Sequence, residues 1–173
     1  PAITVKTRPG DNLMVHMALN IASKGDVIVV DAGGDLTNAL IGELMLAVAV
    51  QKQLGGIIIN GAIRDYESIS AQEFPVYAAG VTHRGPYKDG PGEINVPISI
   101  DGMVIHPGDL VIGDQDGIQC VPFDDAQSVY EEAFAKHQRE EAAAVNNAAG
   151  TSDRSRIEKR LLELGCEIEG QAD

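Results

Sequence analysis

Two polar segments in the first half of the chain follow apolar, strand-like runs and carry groups suited to binding a charged ligand. The first is Gly42-Glu43-Leu44-Met45, where a helical pattern starts, and the second ends in Arg64-Asp65. The start of a helix presents free backbone N–H groups to an anion. The Arg64 guanidinium is a planar donor that fits a carboxylate, and the Asp65 carboxylate could hold a divalent cation whose other positions are filled by water.

Together these groups would suit a 2-oxo acid, because one end of such a molecule is a carboxylate and the neighbouring ketone can be polarised by a cation. The ends of neighbouring strands converge in an α/β sheet, where ligands bind, so the two segments are expected to meet. Adjacent residues on an extended chain point to opposite sides, which argues against a simple ion pair between Arg64 and Asp65. A separate surface partner for each stays open as the alternative.

A third segment, Ala32-Gly33-Gly34-Asp35, also follows a strand-like run. It resembles the glycine-rich turn of folds that bind dinucleotides or S-adenosylmethionine, but its adjacent glycines lack the G-x-G-x-x-G spacing. A tight exit from the strand with positive φ angles explains these glycines more simply. A methyltransferase or dehydrogenase is therefore the minority interpretation.

The remaining reactive side chains show no catalytic or metal-binding pattern. No G-x-S-x-G motif is present, and Cys120 and Cys166 lie in no context that would activate a thiol. Lys52 and Lys88 have no neighbours that indicate the desolvation a Schiff-base lysine requires. A structural or solvated role is expected for the histidines, which share no ligand spacing: His16, His83, His106 and His137.

The elements around the polar segments predict an α/β domain. Continuous β-branched runs over residues 26–31 and 57–60 are typical of strands buried on both faces. Apolar residues at helical spacing predict helices over residues 12–22, with Asp11 as N-cap, and over residues 40–54, ended by Gly55-Gly56 in the left-handed conformation. Further strands are expected at residues 3–6 and 75–78, and a short helix at residues 67–72.

After residue 80 the pattern changes to short strands separated by Gly- and Pro-containing turns, which is typical of a β-meander or small barrel. These strands are expected at residues 94–98, 103–105, 110–112 and 118–121. A long helix over residues 124–144, a linker over 146–152 and a last helix over 154–164, stopped at Gly165, follow. The chain is thus predicted to be a single α/β domain, with an α/β core and meander over residues 1–122 and C-terminal helices over 123–173.

The composition narrows the classes of function. The chain has 173 residues, 44% of them hydrophobic, which is enough for one packed core. Its formal net charge of −13 would repel a phosphate backbone. Two separated cysteines, expected to be buried, indicate a reducing compartment. No membrane-length apolar run or signal-like start is visible, so a cytoplasmic protein that binds neither nucleic acid nor membrane is expected.

Six segments carry a pattern of residues in a particular order and spacing: residues 29–35, 42–45, 60–65, 94–98, 104–111 and 114–122. Together they resemble the 4-hydroxy-4-methyl-2-oxoglutarate aldolase family. That family includes the protein regulator of ribonuclease E activity and members labelled demethylmenaquinone methyltransferase. The resemblance runs from Pro1 to about Gly165 and implies a class II pyruvate aldolase that also decarboxylates oxaloacetate. It further implies an α/β/β sandwich of the swivelling β/β/α type, assembled as a homotrimer or a hexamer.

The resemblance also assigns roles to individual residues. It implies that the backbone amides of Gly42, Glu43, Leu44 and Met45 bind the pyruvoyl part of the substrate, that Arg64 clamps it, and that Asp65 holds Mg²⁺ or Mn²⁺ largely through water. Glu43 is expected to order water near the metal. A glutamate from a neighbouring subunit completes the family's site, and Glu140 or Glu141 fits that place.

The sequence differs from the family pattern in two respects. Met45 replaces the commoner leucine, which matters little because the backbone makes the contact. The family also has a helical segment before the strand that here begins near Pro1, and its absence could reduce stability or subunit packing.

Two other functions compete with the aldolase. One is a non-catalytic protein that binds and regulates ribonuclease E through its acidic surface. Regulator-type members often lack the aspartate that follows the arginine, so Asp65 favours catalysis. The other is an S-adenosylmethionine-dependent methyltransferase that binds its cofactor at Gly33-Gly34.

Overall fold

The first 126 residues of the computed structural model, which describes residues 1–167, contain strands with short helices between some of them in the first half and a run of successive strands in the second. The chain divides into two units, Pro1–Ala126 and Gln127–Asp173. The elements of the first unit are β1 (Ala2–Thr7), α1 (Leu13–Ile21), β2 (Val27–Asp31), β3 (Ala39–Ile41), α2 (Glu43–Gln51), β4 (Gly56–Ile63), α3 (Tyr66–Ser70), β5 (Val76–Val81), β6 (Gly92–Ile94), β7 (Ile98–Ile100), β8 (Met103–Ile105), β9 (Leu110–Asp114), β10 (Gly117–Val121) and a short 3-10 helix (Phe123–Asp125).

A six-stranded sheet, in the order β3-β4-β2-β1-β6 with β5 also paired to β4, forms the centre of this unit. β4 pairs in parallel with β2, β3 and β5, and β1 pairs in parallel with β2. Only β6 is antiparallel, alongside β1. The predicted β-branched runs are confirmed as β2 and β4, whose central residues are buried, as strands covered on both faces must be.

An apolar cluster covers each face of the sheet. On one face, α1 and α2 contribute Val15 and Leu46 to a cluster that includes Ile28 and Ile57. On the other face, the antiparallel hairpins β7–β8 and β9–β10 cover Val29 and Ile58 with Ile98, Ile105 and partly buried residues. The resulting layers are helices, sheet and hairpins. This arrangement confirms the predicted α/β/β sandwich with a β-meander.

The predicted helix over residues 40–54 is wrong at both ends. Its first part is the strand β3, and the helix α2 begins only at Glu43. The predicted left-handed end at Gly55-Gly56 is also wrong, because Gln53 takes that conformation with φ 57°. A side chain at Gly55 would approach the Gly25 carbonyl oxygen to 2.8 Å. The glycine is therefore needed for close packing and not for its φ angle.

Three other predicted boundaries need correction. Residues 94–98 are not one strand, since Asn95 has φ 56° and separates β6 from β7. The residue at the N-cap of α1 is Asn12, although Asp11 accepts a hydrogen bond from the Leu13 N–H at 3.0 Å. The helix α4 (Ala126–Ala149), which belongs to the second unit from Gln127 onward, extends into the predicted linker. α5 (Ser155–Glu163) is followed by Gly165 at φ 80°, as expected.

The second unit is a pair of polar helices. Apart from the half-buried Ala126, every residue of α4 and α5 is exposed in this chain. Cys166 is exposed as well, so the expectation that both cysteines are buried is wrong for this one. No helix within residues 1–167 is both long and apolar enough to cross a membrane.

Candidate active site

The two polar segments meet because β3 and β4 lie side by side and run in the same direction. Ile41 is paired with Ile63, the last residue of each strand. The Arg64 N–H donates to the Ile41 carbonyl at 3.0 Å and extends this pairing by one step. Gly42 and Arg64 therefore leave the sheet next to each other. The predicted convergence is confirmed, although the strand that carries Gly42 is the short β3.

The side chains of Arg64 and Asp65 contact each other, contrary to the expectation that neighbouring side chains would point to opposite sides. The Arg64 Nε lies 3.6 Å from the Asp65 Oδ2. The expectation assumed an extended chain, whereas Asp65 is left-handed, with φ 56° and ψ 39°. Aspartate is one of the few residues that accept this conformation. The turn brings the guanidinium and the carboxylate together.

Asp65 also connects the two segments. Its Oδ2 accepts a hydrogen bond from the Glu43 N–H at 3.0 Å, at the first residue of α2. Gly42 leaves no space for a larger residue, because a Cβ there would overlap the Asp65 Oδ2 and lie 2.9 Å from the Arg64 Nε. The absence of a side chain at position 42 therefore allows the arginine and the aspartate to pack over the start of α2.

The amides at the start of α2 differ in availability. The Glu43 N–H is taken by Asp65, and the Met45 N–H donates to the Gly42 carbonyl at 3.1 Å. The Leu44 N–H has no acceptor within residues 1–167. Leu44 is thus the amide in this segment best placed to donate to a bound anion.

A cavity of about 120 Å³ opens between Arg64 and this helix start. Its lining includes Asn12 at the N-cap of α1 and His16 within that helix. Pro86 and Lys88, from the segment between β5 and β6, line it as well. Ligand cavities for drug-sized molecules are larger, about 300–1,000 Å³. The space suits a small acid and not a nucleotide cofactor. Asn12 has no sequence signature that marks it as a site residue, and a structural or solvated role was expected for His16.

Asp11 fixes the loop that carries Lys88 to the start of α1. The carboxylate of Asp11 is fully buried and accepts hydrogen bonds from the N–H groups of Leu13, Asp89 and Gly90 at 2.8 to 3.0 Å. Burial alone would raise the pKa of this carboxyl, but these bonds and the Arg8 guanidinium outweigh it and lower the pKa below its ordinary value of 3.8.

Replacing Asp11 with alanine is expected to lower the free energy of unfolding by about 3 kcal/mol, because several backbone N–H groups lose their acceptor. The pKa of Asp11 is lower in the folded state than its ordinary value of 3.8. The charged carboxylate therefore contributes its full share to the free energy of unfolding above pH 3.8, and this share is lost as the pH falls through the folded-state pKa. Urea unfolding at pH 7 and near pH 3 measures both effects. Asp26→Ala is the control, because the carboxylate of the half-buried Asp26 accepts one N–H, from Ser23. Equal losses of stability in the two variants would contradict the role given to Asp11.

The chain matches the RraA-like family, described as Aldolase/RraA, over residues 1–119. It belongs to this family. A putative 4-hydroxy-4-methyl-2-oxoglutarate aldolase of Halalkalibacterium halodurans is 44% identical over 82% of the chain and 68% of that relative. The 4-hydroxy-4-methyl-2-oxoglutarate aldolase of Thermus thermophilus is 33% identical over 65% of the chain and 68% of that protein.

Solved structures agree with this assignment. The crystal structure of Streptomyces coelicolor RraAS2, an unusual member of the RNase ES inhibitor RraA protein family, superposes with a TM-score of 0.74 at 30% identity. The superposition covers 83% of this chain and 74% of the other. The RraA-like fold is therefore confirmed for the unit that contains the cavity.

The other residues proposed from sequence lie outside this cluster. In this RraA-like chain, Glu140 and Glu141 lie on α4 in exposed pairs with Lys136 and His137, at 3.4 and 3.5 Å. Their contribution to a neighbouring subunit stays a prediction. Gly33-Gly34 forms a tight turn with φ 68° and 71° after β2, as the simpler interpretation expected.

Cys120 is half-buried beside Asp109. Burial, together with the Asp109 carboxylate, raises the pKa of its thiol to about 11. The thiol is therefore protonated at neutral pH and is no nucleophile.

Proposed function

We propose that this chain is a carbon–carbon lyase that cleaves 4-hydroxy-2-oxo acids, with 4-hydroxy-4-methyl-2-oxoglutarate as the candidate substrate, and that it also decarboxylates oxaloacetate. The observation that carries the proposal is that Arg64 and Leu44, with its free N–H, line one small cavity, while the Asp65 carboxylate contacts the Arg64 guanidinium. Relatives named as aldolases support it.

Each group has a part in the reaction. The Arg64 guanidinium and the Leu44 N–H bind the C1 carboxylate of the substrate and orient it. The C4 hydroxyl then loses its proton, a carbonyl forms at C4, and the C3–C4 bond breaks with its electron pair passing to the enolate of pyruvate. Protonation at C3 gives pyruvate. Glu43, the acidic residue in the first turn of α2, positions the water that accepts the hydroxyl proton.

The residues present fit a divalent cation held by few protein ligands. Within residues 1–167, no cluster of three or more histidine, cysteine or acidic side chains could hold a metal. Asp65 uses Oδ2 for the Glu43 N–H, and its half-exposed carboxylate keeps Oδ1 available. Mg²⁺ usually binds through one or two carboxylates and retains water. When bound, the cation would polarise the C2 ketone and stabilise the developing negative charge.

The proposal includes a homotrimer or hexamer of this chain. The glutamates Glu140 and Glu141 are exposed on α4, and one of them would reach the site of the neighbouring subunit. Sedimentation or light scattering measures the assembly directly.

The proposal is tested by the release of pyruvate from 4-hydroxy-4-methyl-2-oxoglutarate and from oxaloacetate. Activity should fall by about 100-fold or more when EDTA removes the cation and should return with Mg²⁺ or Mn²⁺, because the charge that develops on the ketone loses its main stabilisation. A coupled lactate dehydrogenase assay follows pyruvate.

Equal activity with and without EDTA would contradict the metal dependence. A chain that releases no pyruvate with added metal but binds ribonuclease E would instead support the regulator function. Binding of ribonuclease E should be measured together with pyruvate release, because the chain is similar to a member of the RNase ES inhibitor RraA protein family.

A further inference from the structure

Asn38, the residue directly before β3, connects two loops that are distant in sequence. Its Nδ2 donates to the Gly85 carbonyl at 2.6 Å. The same side chain packs against Gly10, where an added Cβ would lie 3.2 Å from the Asn38 Cβ and 3.3 Å from its Oδ1. The half-buried amide is therefore held between the loop after β1 and the loop after β5.

The Gly85-Pro86 step in the loop after β5 depends on this side chain. On one side of the step, the Arg84 carbonyl accepts the Ala39 N–H at 2.9 Å, and on the other, the Tyr87 N–H donates to the loop before α1 at 2.8 Å. Within the step itself, Pro86 has no N–H to donate, and the Gly85 N–H has no acceptor in the described part of the chain. The Asn38 amide thus supplies the hydrogen bond that fixes this step.

The step lies beside the Arg64 guanidinium. A Cβ built on Gly85 would be 3.6 Å from the Arg64 Nη1, and Pro86 lines the same small cavity as Arg64. Through its Nε, Arg64 contacts the Asp65 Oδ2 at 3.6 Å. The Arg64 side chain is long and 42% exposed, so its neighbours must restrict its rotamers if it is to present the guanidinium to a carboxylate.

We infer that Asn38 is a positioning residue: it holds the Gly85-Pro86 step beside the Arg64 guanidinium and so keeps that group oriented for the substrate carboxylate. This assignment rests on the proposed lyase function. Asn38 does not line the cavity, so it acts through the backbone of its neighbour and touches neither substrate nor cation. Because the contact is made to a carbonyl, a methyl group added at Gly85 leaves it intact.

Two variants remove the hydrogen bond in different ways. Asn38→Asp keeps the shape of the side chain beside Gly10 and replaces the donor with an acceptor, whereas Asn38→Ala removes the whole amide. Both should raise KM for 4-hydroxy-4-methyl-2-oxoglutarate by roughly 5- to 10-fold, the effect of one hydrogen bond. The value of kcat should change less than about threefold, because Arg64 binds the carboxylate equally in the ground state and the transition state. Partial unfolding would instead lower kcat and leave KM unchanged.

Thr4→Val is the matched control. The Thr4 Oγ1 also donates to a backbone carbonyl at 2.6 Å, that of Val96 between β6 and β7, and neither residue lines the cavity. Valine has the shape of threonine without the hydroxyl donor. This variant should therefore lose a hydrogen bond of the same kind and length while KM stays unchanged. Circular dichroism and thermal unfolding measure the folded fraction of all three variants.

A spectroscopic measurement tests the assignment without turnover. The Nε–Hε signal of Arg64, assigned by its loss in Arg64→Lys, reports the order of the guanidinium through its heteronuclear NOE. Both Asn38 variants should lower this NOE, and Thr4→Val should not. If the wild type releases no pyruvate with added metal, the lyase proposal fails, and the Arg64 signal still decides the role of Asn38. An unchanged Arg64 signal or an unchanged KM in both Asn38 variants, or an equal change in Thr4→Val, overturns that role.

Discussion

Replacing Asp65 with asparagine is expected to lower the rate of pyruvate release by about 10²- to 10³-fold without lowering the melting temperature. Asparagine accepts the left-handed conformation that Asp65 has at φ 56°, and its amide oxygen can still accept the Glu43 N–H. The substitution therefore removes the negative charge and keeps the local fold. Steady-state kinetics with saturating Mg²⁺, together with thermal unfolding, measure both quantities.

A second left-handed aspartate provides the control. Asp101 has φ 50° in the turn between β7 and β8, so Asp101→Asn makes the same chemical change at the same backbone conformation away from the cavity. Its activity should equal that of the wild type. If Asp65→Asn retains wild-type activity, the carboxylate has no part in catalysis and the proposed cation site is wrong.

The second large effect is expected for Gly42→Ala, with activity lowered by about 100-fold. Gly42 has an extended backbone, with φ −144° and ψ −171°, so alanine brings no backbone strain. Its methyl group would instead overlap the Asp65 Oδ2 and lie 2.9 and 3.0 Å from the Arg64 Nε and Cγ. Both side chains must move, and a displacement of about 1 Å at a catalytic group can lower the rate by that factor.

Gly85→Ala is the matched control for this substitution. A Cβ at Gly85 would lie 3.6 Å from the Arg64 Nη1, which is an ordinary van der Waals contact. This variant should keep most of the activity, and circular dichroism should show both variants folded. Wild-type rates for Gly42→Ala would show that the site tolerates displacement of Arg64 and Asp65.

The central sheet could be predicted because its strands are β-branched runs bounded by polar residues, as in β2 and β4. The three-residue strand β3 could not. Leu40 and Ile41 continue directly into the apolar pattern of α2, and periodicity cannot divide such a short strand from a helix. Pairing with the end of β4 makes these residues a strand, and that is a tertiary effect.

The candidate site also has residues that could be predicted from the sequence and residues that could not. Arg64 and Asp65 could be singled out because charged residues follow a buried strand, whereas the turn that brings them together has no sequence signature. Asn12 and Lys88 are 76 residues apart in sequence. They line one cavity because the Asp11 carboxylate and the backbone hydrogen bonds of Tyr87 fix the loop of Lys88 to the start of α1. The buried Asn12 Oδ1 has no hydrogen-bond partner within residues 1–167, which is visible only once the fold is known.

The left-handed backbone at position 65 also restricts how this protein can change over evolutionary time. In a lineage that lost the cleavage activity but kept the fold, only asparagine or glycine could replace the aspartate without backbone strain. Other side chains would strain a residue at φ 56°. Descendants without activity should therefore carry one of these two residues there, or show a rebuilt turn after β4. A left-handed residue at position 65 would then indicate that an ancestral protein carried the aspartate there.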